Sequence, residues 1–297
     1  MTNPWIEAMR LRTLPVAVAG VLTGAAFASL AGVFQTVPAV ICLVFAVLAQ
    51  IASNFANEYF DYRGGLDKPG REGPRRGVTE GDISPRAMLT ATIATLALAC
   101  AVGCLLIPYG GWGLIAVGLF VAAGVFFYSA GPYPLSHHCL GEVAVVVFFG
   151  LVPVAGTFYV MCGQVPSIVW IGGFSLGLMG ANVLIINNYR DYADDYAVGK
   201  HTLTTKFGPG MSLTLYLLDG FMAIAMLVPL FLLLPVWTFA VPVIYLVLHS
   251  LIWRMMTRRT GSALNPLLGL TSMNMLLFAV LFAMAVSLVG IPDKIQM

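Results

Sequence analysis

Nine continuous apolar runs, each about as long as a membrane is thick, limit what this 297-residue chain can become more than any other feature. They lie near 14–34, 36–57, 87–107, 111–131, 140–162, 167–187, 212–234, 235–253 and 269–291. A helix needs about 20 residues to cross a hydrocarbon core. The runs are unbroken rather than alternating at every second position, which favours helices over a β-barrel. Composition agrees: 59% of residues are hydrophobic and only 9% charged, against about 25% charged in an ordinary soluble domain. That excludes a soluble globule, a disordered chain and a disulfide-stapled module. The expected fold class is an all-α membrane protein embedded in the lipid bilayer, one polytopic domain over 1–297 with about nine transmembrane helices. Only Pro235 and a few apolar residues part the seventh and eighth runs, so the turn there must be tight.

The basic residues set the orientation. Arg10 and Arg12 precede the first run; Arg63, Lys68, Arg71, Arg75, Arg76 and Arg86 lie between the second and third. Arg190, Lys200 and Lys206 lie between the sixth and seventh, and Arg254, Arg258 and Arg259 between the eighth and ninth. All of these fall on one side of a nine-span chain, and Lys294 alone falls opposite. By the positive-inside rule the N-terminus is cytoplasmic and the C-terminus is on the other side of a cytoplasmic (inner) membrane. The net charge of +2 gives no reason to expect nucleic acid as a partner. Ala26-Phe27-Ala28 resembles a signal-peptide cleavage site, but the run is long and the second follows at once, which favours a span. The five cysteines, Cys42, Cys100, Cys104, Cys139 and Cys162, sit in or at the ends of runs and imply no disulfide framework.

Two acidic clusters begin inside the ends of runs. The first is Asn54, Asn57, Glu58, Asp61 and Asp67; the second is Asn187, Asn188, Asp191, Asp194 and Asp195. If each helix continues a turn past the lipid, Asn54, Asn57, Glu58 and Asp61 recur at three and four residues and share a face. Asp191 and Asp195 do the same. Carboxylates gathered in this way repel each other unless cations stand between them. Ligation by Asp, Glu and Asn oxygen, without His or Cys, suits Mg²⁺, which takes one or two carboxylates and leaves its other positions to water and phosphate. Lys and Arg beside both clusters then make a receptor for a diphosphate, and the membrane suggests a diphosphate with a long apolar tail. The plainer reading is a basic loop whose carboxylates only pair with its bases. Two loops with the same Asn-then-Asp order, each starting inside a span, favour the site.

At these residues the chain resembles the UbiA superfamily of intramembrane prenyltransferases, which carries aspartate-rich motifs after the second and sixth spans. They correspond to Asn57-Glu58-Tyr59-Phe60-Asp61 with Asp67, and to Asp191 with Asp195. It is most similar to the branch that prenylates 1,4-dihydroxy-2-naphthoate in menaquinone synthesis. That likeness runs through Trp5, Arg10-Leu-Arg-Thr-Leu-Pro15, Asn54 to Asp61, Asp67-Lys68-Pro69, Gly73-Pro74 and Arg76-Gly77. It continues through Tyr128-Ser-Ala-Gly-Pro132, Pro134-Leu135, Gly141-Glu142, Phe149-Gly150, Gly156-Thr157, Asn187-Asn188-Tyr-Arg-Asp191, Asp195 and Gly199-Lys200-His-Thr-Leu203. Two departures stand out. Glu58 replaces the usual Asp, and Gly65 sits where the superfamily's commoner spacing puts a carboxylate, Asp67 being the next acid. Asp194 lies outside the pattern.

The resemblance implies helices around a central cavity, capped by cytoplasmic active-site loops at 58–86 and 188–211. It implies transfer from a polyprenyl diphosphate to 1,4-dihydroxy-2-naphthoate, with loss of CO₂, giving demethylmenaquinone. Asn57, Glu58, Asp61, Asp67, Asp191 and Asp195 are the expected Mg²⁺ ligands, with Asp61, Asp191, Asp195 and Lys200 closest to the chemistry. Arg10, Arg12, Arg63, Lys68, Arg76, Arg190 and Lys200 are the expected diphosphate contacts. Asn54, Tyr59, Tyr128, Glu142, Asn187, Asn188 and Tyr192 are expected around the acceptor or the allylic cation, although Glu142 could equally cap its helix. His137, His138 and His201 are expected to be solvated, and His249 to be packed in the core. Two other functions compete: the same transfer to 4-hydroxybenzoate or haem, and a proton- or cation-coupled transporter. Against the transporter, the acids cluster at one membrane face rather than the midplane. Prenyl length and oligomeric state are not encoded in any readable pattern.

Overall fold

The computed structural model describes residues 3–70 and 72–289, so Arg71 and Lys294 lie outside the described residues. In chain order the helices are α1 (Pro4–Ala8), α2 (Leu14–Leu30), α3 (Thr36–Arg63), α4 (Pro85–Cys104), α5 (Ile107–Gly110), α6 (Leu114–Phe127) and α7 (Gly141–Val145). A π-helical stretch, Val146–Leu151, leads from α7 into α8 (Val152–Cys162). Then come α9 (Ser167–Arg190), α10 (Tyr192–Ala197), α11 (Leu203–Phe207), α12 (Pro209–Leu232), α13 (Ala240–Met256) and α14 (Asn265–Val289).

Among the described residues each apolar run contains helix, and eight helical segments are long and apolar enough to cross a membrane. The run at 111–131 differs from expectation. Gly111 sits at φ +77° and Gly131 at φ +93°, so both ends are turns. What remains is α6, 14 residues long, or about 21 Å of helix. The helix starts are local and chemical. Ser84 accepts a hydrogen bond from Ala87 N at 3.2 Å, with Pro85 at the first helical position. The π-helical stretch ends just before Pro153, whose ring would otherwise press on the carbonyl four residues back.

α2 packs along α14, α9 against α12 and the π-helical stretch, and α3 against α4. The closest approach is made by glycine: a Cβ on Gly150 would meet the backbone of Gly173 and Gly177, which are spaced four apart on α9. The largest buried cluster includes Phe27, Phe158, Phe231, Phe278 and Phe282. His249 is buried, as expected of a core histidine, with its ring stacked 4.6 Å from Tyr216 and 5.6 Å from Tyr245. Leu98, Phe120, Val247 and Met284 point outward from the perimeter, where lipid would meet them.

Alternating helix directions bring the starts of α2, α7 and α14 and the ends of α3 and α9 to one end of the bundle. Contacts across that end close it: Arg10 to Asn57, Asn188 to Glu142, and Arg190 to Asn265.

Candidate active site

One cavity of about 590 Å³ opens among these helix ends. Along α3 its wall runs from Asp61 to Cys42, about 28 Å at 1.5 Å per residue, close to a full hydrocarbon thickness. The end near Asp61 is polar. The rest is apolar, lined by Phe45, Ala46, Val21, Leu114, Phe148 and Val160 among others.

Both acidic clusters reach the polar end, because α3 and α9 do continue beyond their apolar runs, to Arg63 and Arg190. Asp61, Asp67, Asp191, Asp194 and Asp195 all line the cavity, and Asp61, Asp191 and Asp195 are buried. Lys200 joins the clusters: its Nζ lies 3.5 Å from Asp195 Oδ1, and its charge also acts on Asp61. Arg76 reaches Asp67 at 3.2 Å. Lys68 stands in the wall near the mouth. Asp61 Oδ1 is buried without a hydrogen bond, His137 Nε2 being 3.7 Å away.

Arg10 shows how the chain spends strain here. It takes φ +52°, a left-handed conformation that is costly for any residue with a Cβ. The backbone thereby breaks between α1 and α2, and Arg10 Nη2 donates to Asn57 Oδ1 inside the cavity. Asn57 Nδ2 donates in turn to Ser129 Oγ at 2.8 Å. Asn54 Nδ2 donates to Met9 O at 2.9 Å, which holds the start of the bend. Of the Arg10/Arg12 pair, therefore, only Arg10 faces the site; Arg12 is exposed, and its carbonyl accepts from Ser272 Oγ at 2.6 Å.

Several expected site residues point elsewhere. Glu58 lies about 100° further round α3 than Asn57, and its Oε1 accepts from Val78 N at 3.1 Å, away from the cavity wall. Tyr59 is buried with Phe55, Val78, Ile83 and Met88. Arg63 is exposed and donates to Tyr59 OH at 3.2 Å, its guanidinium 5.9 Å from that ring. Tyr192 lies beside Tyr196, with ring centres 6.1 Å apart. Arg190 is buried and fully engaged: Nε and Nη2 hold the two Asp191 carboxylate oxygens at 2.7 Å each, and Nη2 also donates to Asn187 Oδ1 at 2.8 Å. Arg190 thus shapes Asp191 rather than offering donors to a ligand.

Tyr128, Glu142, Asn187 and Asn188 also line the cavity, and Asn188 Nδ2 donates to Glu142 Oε1 at 3.0 Å. Glu142 therefore faces the site instead of merely capping α7. Sequence reasoning passed over Ser129, which lies inside the quoted Tyr128-Ser-Ala-Gly motif, and Asn265, which carried no signal at all. His137, expected to be solvated, instead turns a buried Nε2 toward Asp61. His138 and His201 are tied into a loop contact, with His138 Nδ1 2.9 Å from Pro134 O and Cys139 N donating to His201 O at 3.0 Å. Burial raises the Cys139 thiol above its usual range against the pull of Lys206, and the residue lines the cavity.

The donor set fits a hard divalent cation. All the cavity acids offer oxygen, Asp61 Oδ1 is a buried acceptor without a hydrogen bond that faces His137 at 3.7 Å, and Arg76, Arg190 and Lys200 pair with Asp67, Asp191 and Asp195. Among the described residues no three His, Cys, Asp or Glu side chains form a ready-made cage. Mg²⁺ that completes its shell with phosphate and water needs none.

A model of the UbiA prenyltransferase family matches residues 17–278. The chain is 37% identical to the 1,4-dihydroxy-2-naphthoate octaprenyltransferase of Escherichia coli (strain K12) over 70% of its own length and 69% of that protein's. It is 34% identical to the Mycobacterium tuberculosis enzyme of the same name over 95% and 96%. A UbiA homologue from Archaeoglobus fulgidus, solved with GPP and Mg²⁺ bound, superposes with a TM-score of 0.71 at 16% identity, covering 96% of this chain and all of that one. With its fold shared and its family model spanning nearly the whole helical bundle, the chain belongs to the UbiA prenyltransferase family.

Proposed function

We propose that the chain transfers a polyprenyl group from a polyprenyl diphosphate to 1,4-dihydroxy-2-naphthoate, releasing diphosphate and CO₂. The single observation that carries this is the cavity: a polar end with five aspartates, Arg10, Arg76 and Lys200, continued by an apolar channel of membrane depth. The choice of acceptor follows the relatives that bear the naphthoate prenyltransferase name.

Arg10, Arg76, Lys68 and Lys200 bind the diphosphate oxygens. The leaving group gains charge as the allylic carbon–oxygen bond breaks, so cations placed in advance stabilise the transition state more than the bound donor. Asp61, Asp67, Asp195 and Asp191 are the residues that would hold Mg²⁺. When bound, it supplies further neutralisation of that same charge. Asn57, fixed between Arg10 and Ser129, orients the guanidinium. The apolar channel excludes water from the allylic cation, and Tyr128 and Phe148 present ring faces to the space around it.

Asn188 holds Glu142 toward the acceptor, and Glu142 accepts the proton of a ring hydroxyl. The electron pair released attacks through the ring carbon that bears the carboxylate and forms the new carbon–carbon bond. Loss of CO₂ then returns its electron pair to the ring, and Glu142 gives the proton back to the oxygen. The product is the reduced form of demethylmenaquinone. The gathering of basic residues at this end of the bundle supports a site and an N-terminus on the cytoplasmic side of the inner membrane.

Membranes carrying the chain, given labelled octaprenyl diphosphate and 1,4-dihydroxy-2-naphthoate, should form a prenylated product lighter than the simple adduct by one CO₂. Labelling of 4-hydroxybenzoate in preference would reject the acceptor. Flux into liposomes with no new lipid product would reject the transfer itself.

A further inference from the structure

Asn265, at the start of α14, joins two parts of the site that are far apart in sequence. Its Oδ1 accepts from Arg190 Nη1 at 2.9 Å, and Arg190 grips Asp191 with its other donors. Its Nδ2 donates to Glu72 O at 3.1 Å, in the α3–α4 loop. The Glu72 side chain is anchored to the same segment: Oε2 accepts from Ser262 N at 2.8 Å. Gly261, at φ +55°, makes room for it, since a Cβ there would lie 2.8 Å from that oxygen. The same loop supplies Asp67, Lys68, Gly70 and Arg76 to the cavity wall. One amide side chain therefore receives from one acidic cluster's arginine and donates to the loop that carries the other cluster's outer acid.

We propose that Asn265 is a positioning residue that couples closure of the α3–α4 loop to the setting of the Asp191 carboxylate through Arg190. This rests on the diphosphate reading of the cavity for its kinetic consequence, but not for its structural one. With Asn265 in place, a diphosphate meets Asp67, Arg76 and Asp191 already in register. Without it, the loop keeps only the Glu72–Ser262 contact of its two far anchors, and Arg190 loses one of the contacts that fix its plane.

Two measurements on the full-length protein test this. In Asn265→Ala, the backbone amides of Asp67, Lys68, Gly70, Gly73, Arg75 and Arg76 should exchange hydrogen about ten-fold faster, while those of α9 and α12 keep wild-type rates. The KM for the prenyl diphosphate should rise about ten-fold, the scale typical of losing an outer support, with kcat and the acceptor KM within about two-fold. Glu72→Ala, which leaves α14 untouched, should loosen the same loop, and the double variant should add little to Asn265→Ala, as members of one network behave. Unchanged loop exchange in either variant would overturn the coupling. So would an equal rise in both KM values, the mark of a general structural defect. A wild-type protein that bound no prenyl diphosphate would instead count against the proposed function, and the exchange rates would still decide the coupling.

Discussion

Arg10→Gly separates what the backbone costs from what the guanidinium does. Arg10 is held at φ +52°, which for a residue with a Cβ costs about 1–2 kcal/mol. Glycine removes that strain but leaves the unfolded chain freer by roughly 0.4–1 kcal/mol. Arg10→Gly should therefore be more stable than Arg10→Ala by about 0.5–1 kcal/mol. Both lose the hydrogen bond from Arg10 to Asn57, a charged one of about 1.5–3 kcal/mol. Thermal unfolding in detergent should rank wild type first, then Gly, then Ala. Activity should ignore that order. Each variant removes a cation placed where charge develops, and kcat for prenyl transfer should fall about 10²- to 10³-fold in both, or about 2.7–4 kcal/mol. Arg10→Lys keeps the charge and the strain but loses the planar fork, so it should recover part of the rate and none of the stability. An alanine variant as stable as the glycine one would refute the strain. Either variant retaining wild-type kcat would refute the placement of Arg10 on the departing diphosphate.

Asp61→Asn and Asp195→Asn preserve shape and should each lower kcat/KM at least about 10²-fold while the protein still inserts and folds; wild-type turnover in either would remove that carboxylate from the site. Chelation with EDTA should abolish turnover, and added Mg²⁺ should restore it; full activity after thorough chelation would reject the metal. Gly177→Leu should destabilise by more than about 3 kcal/mol, read as lost folded yield, because a Cβ at that position would lie 2.8 Å from Val146 backbone atoms. Gly156 faces the channel with nothing within 4 Å of its would-be Cβ. Gly156→Leu should thus keep transfer from geranyl diphosphate and lose it from octaprenyl diphosphate; equal use of both donors would place the tail elsewhere.

Much of the site was legible because it was written in residue type and run length. Asp61 and Asp191 were picked out as acids at the ends of apolar runs, and both line one cavity. Lys200 was picked out as a base beside them. What failed was direction. Glu58, one position after Asn57, is turned out of the cavity by the helix rotation and ends on Val78 N. Exposed Arg63 donates to the hydroxyl of buried Tyr59, outside the cavity. Arg190 looked like a ligand for phosphate and proved to be the clamp on Asp191.

The amino-acid order alone settled the helical, membrane-embedded architecture and the gathering of basic residues at one end. Those properties depend on local sums: apolar length against bilayer thickness, and the count of Lys and Arg in each loop. Only the folded bundle decided that Arg10 rather than Arg12 faces the site, that Ser129 fixes Asn57, and that Asn265 bridges Arg190 to Glu72. Each of those is a contact across 72 residues or more, except the choice at Arg10, which hangs on one strained backbone angle. Helix phase and long-range pairing carry no periodic trace in a sequence, because a side chain's partner is chosen by packing in space and not by its neighbours along the chain.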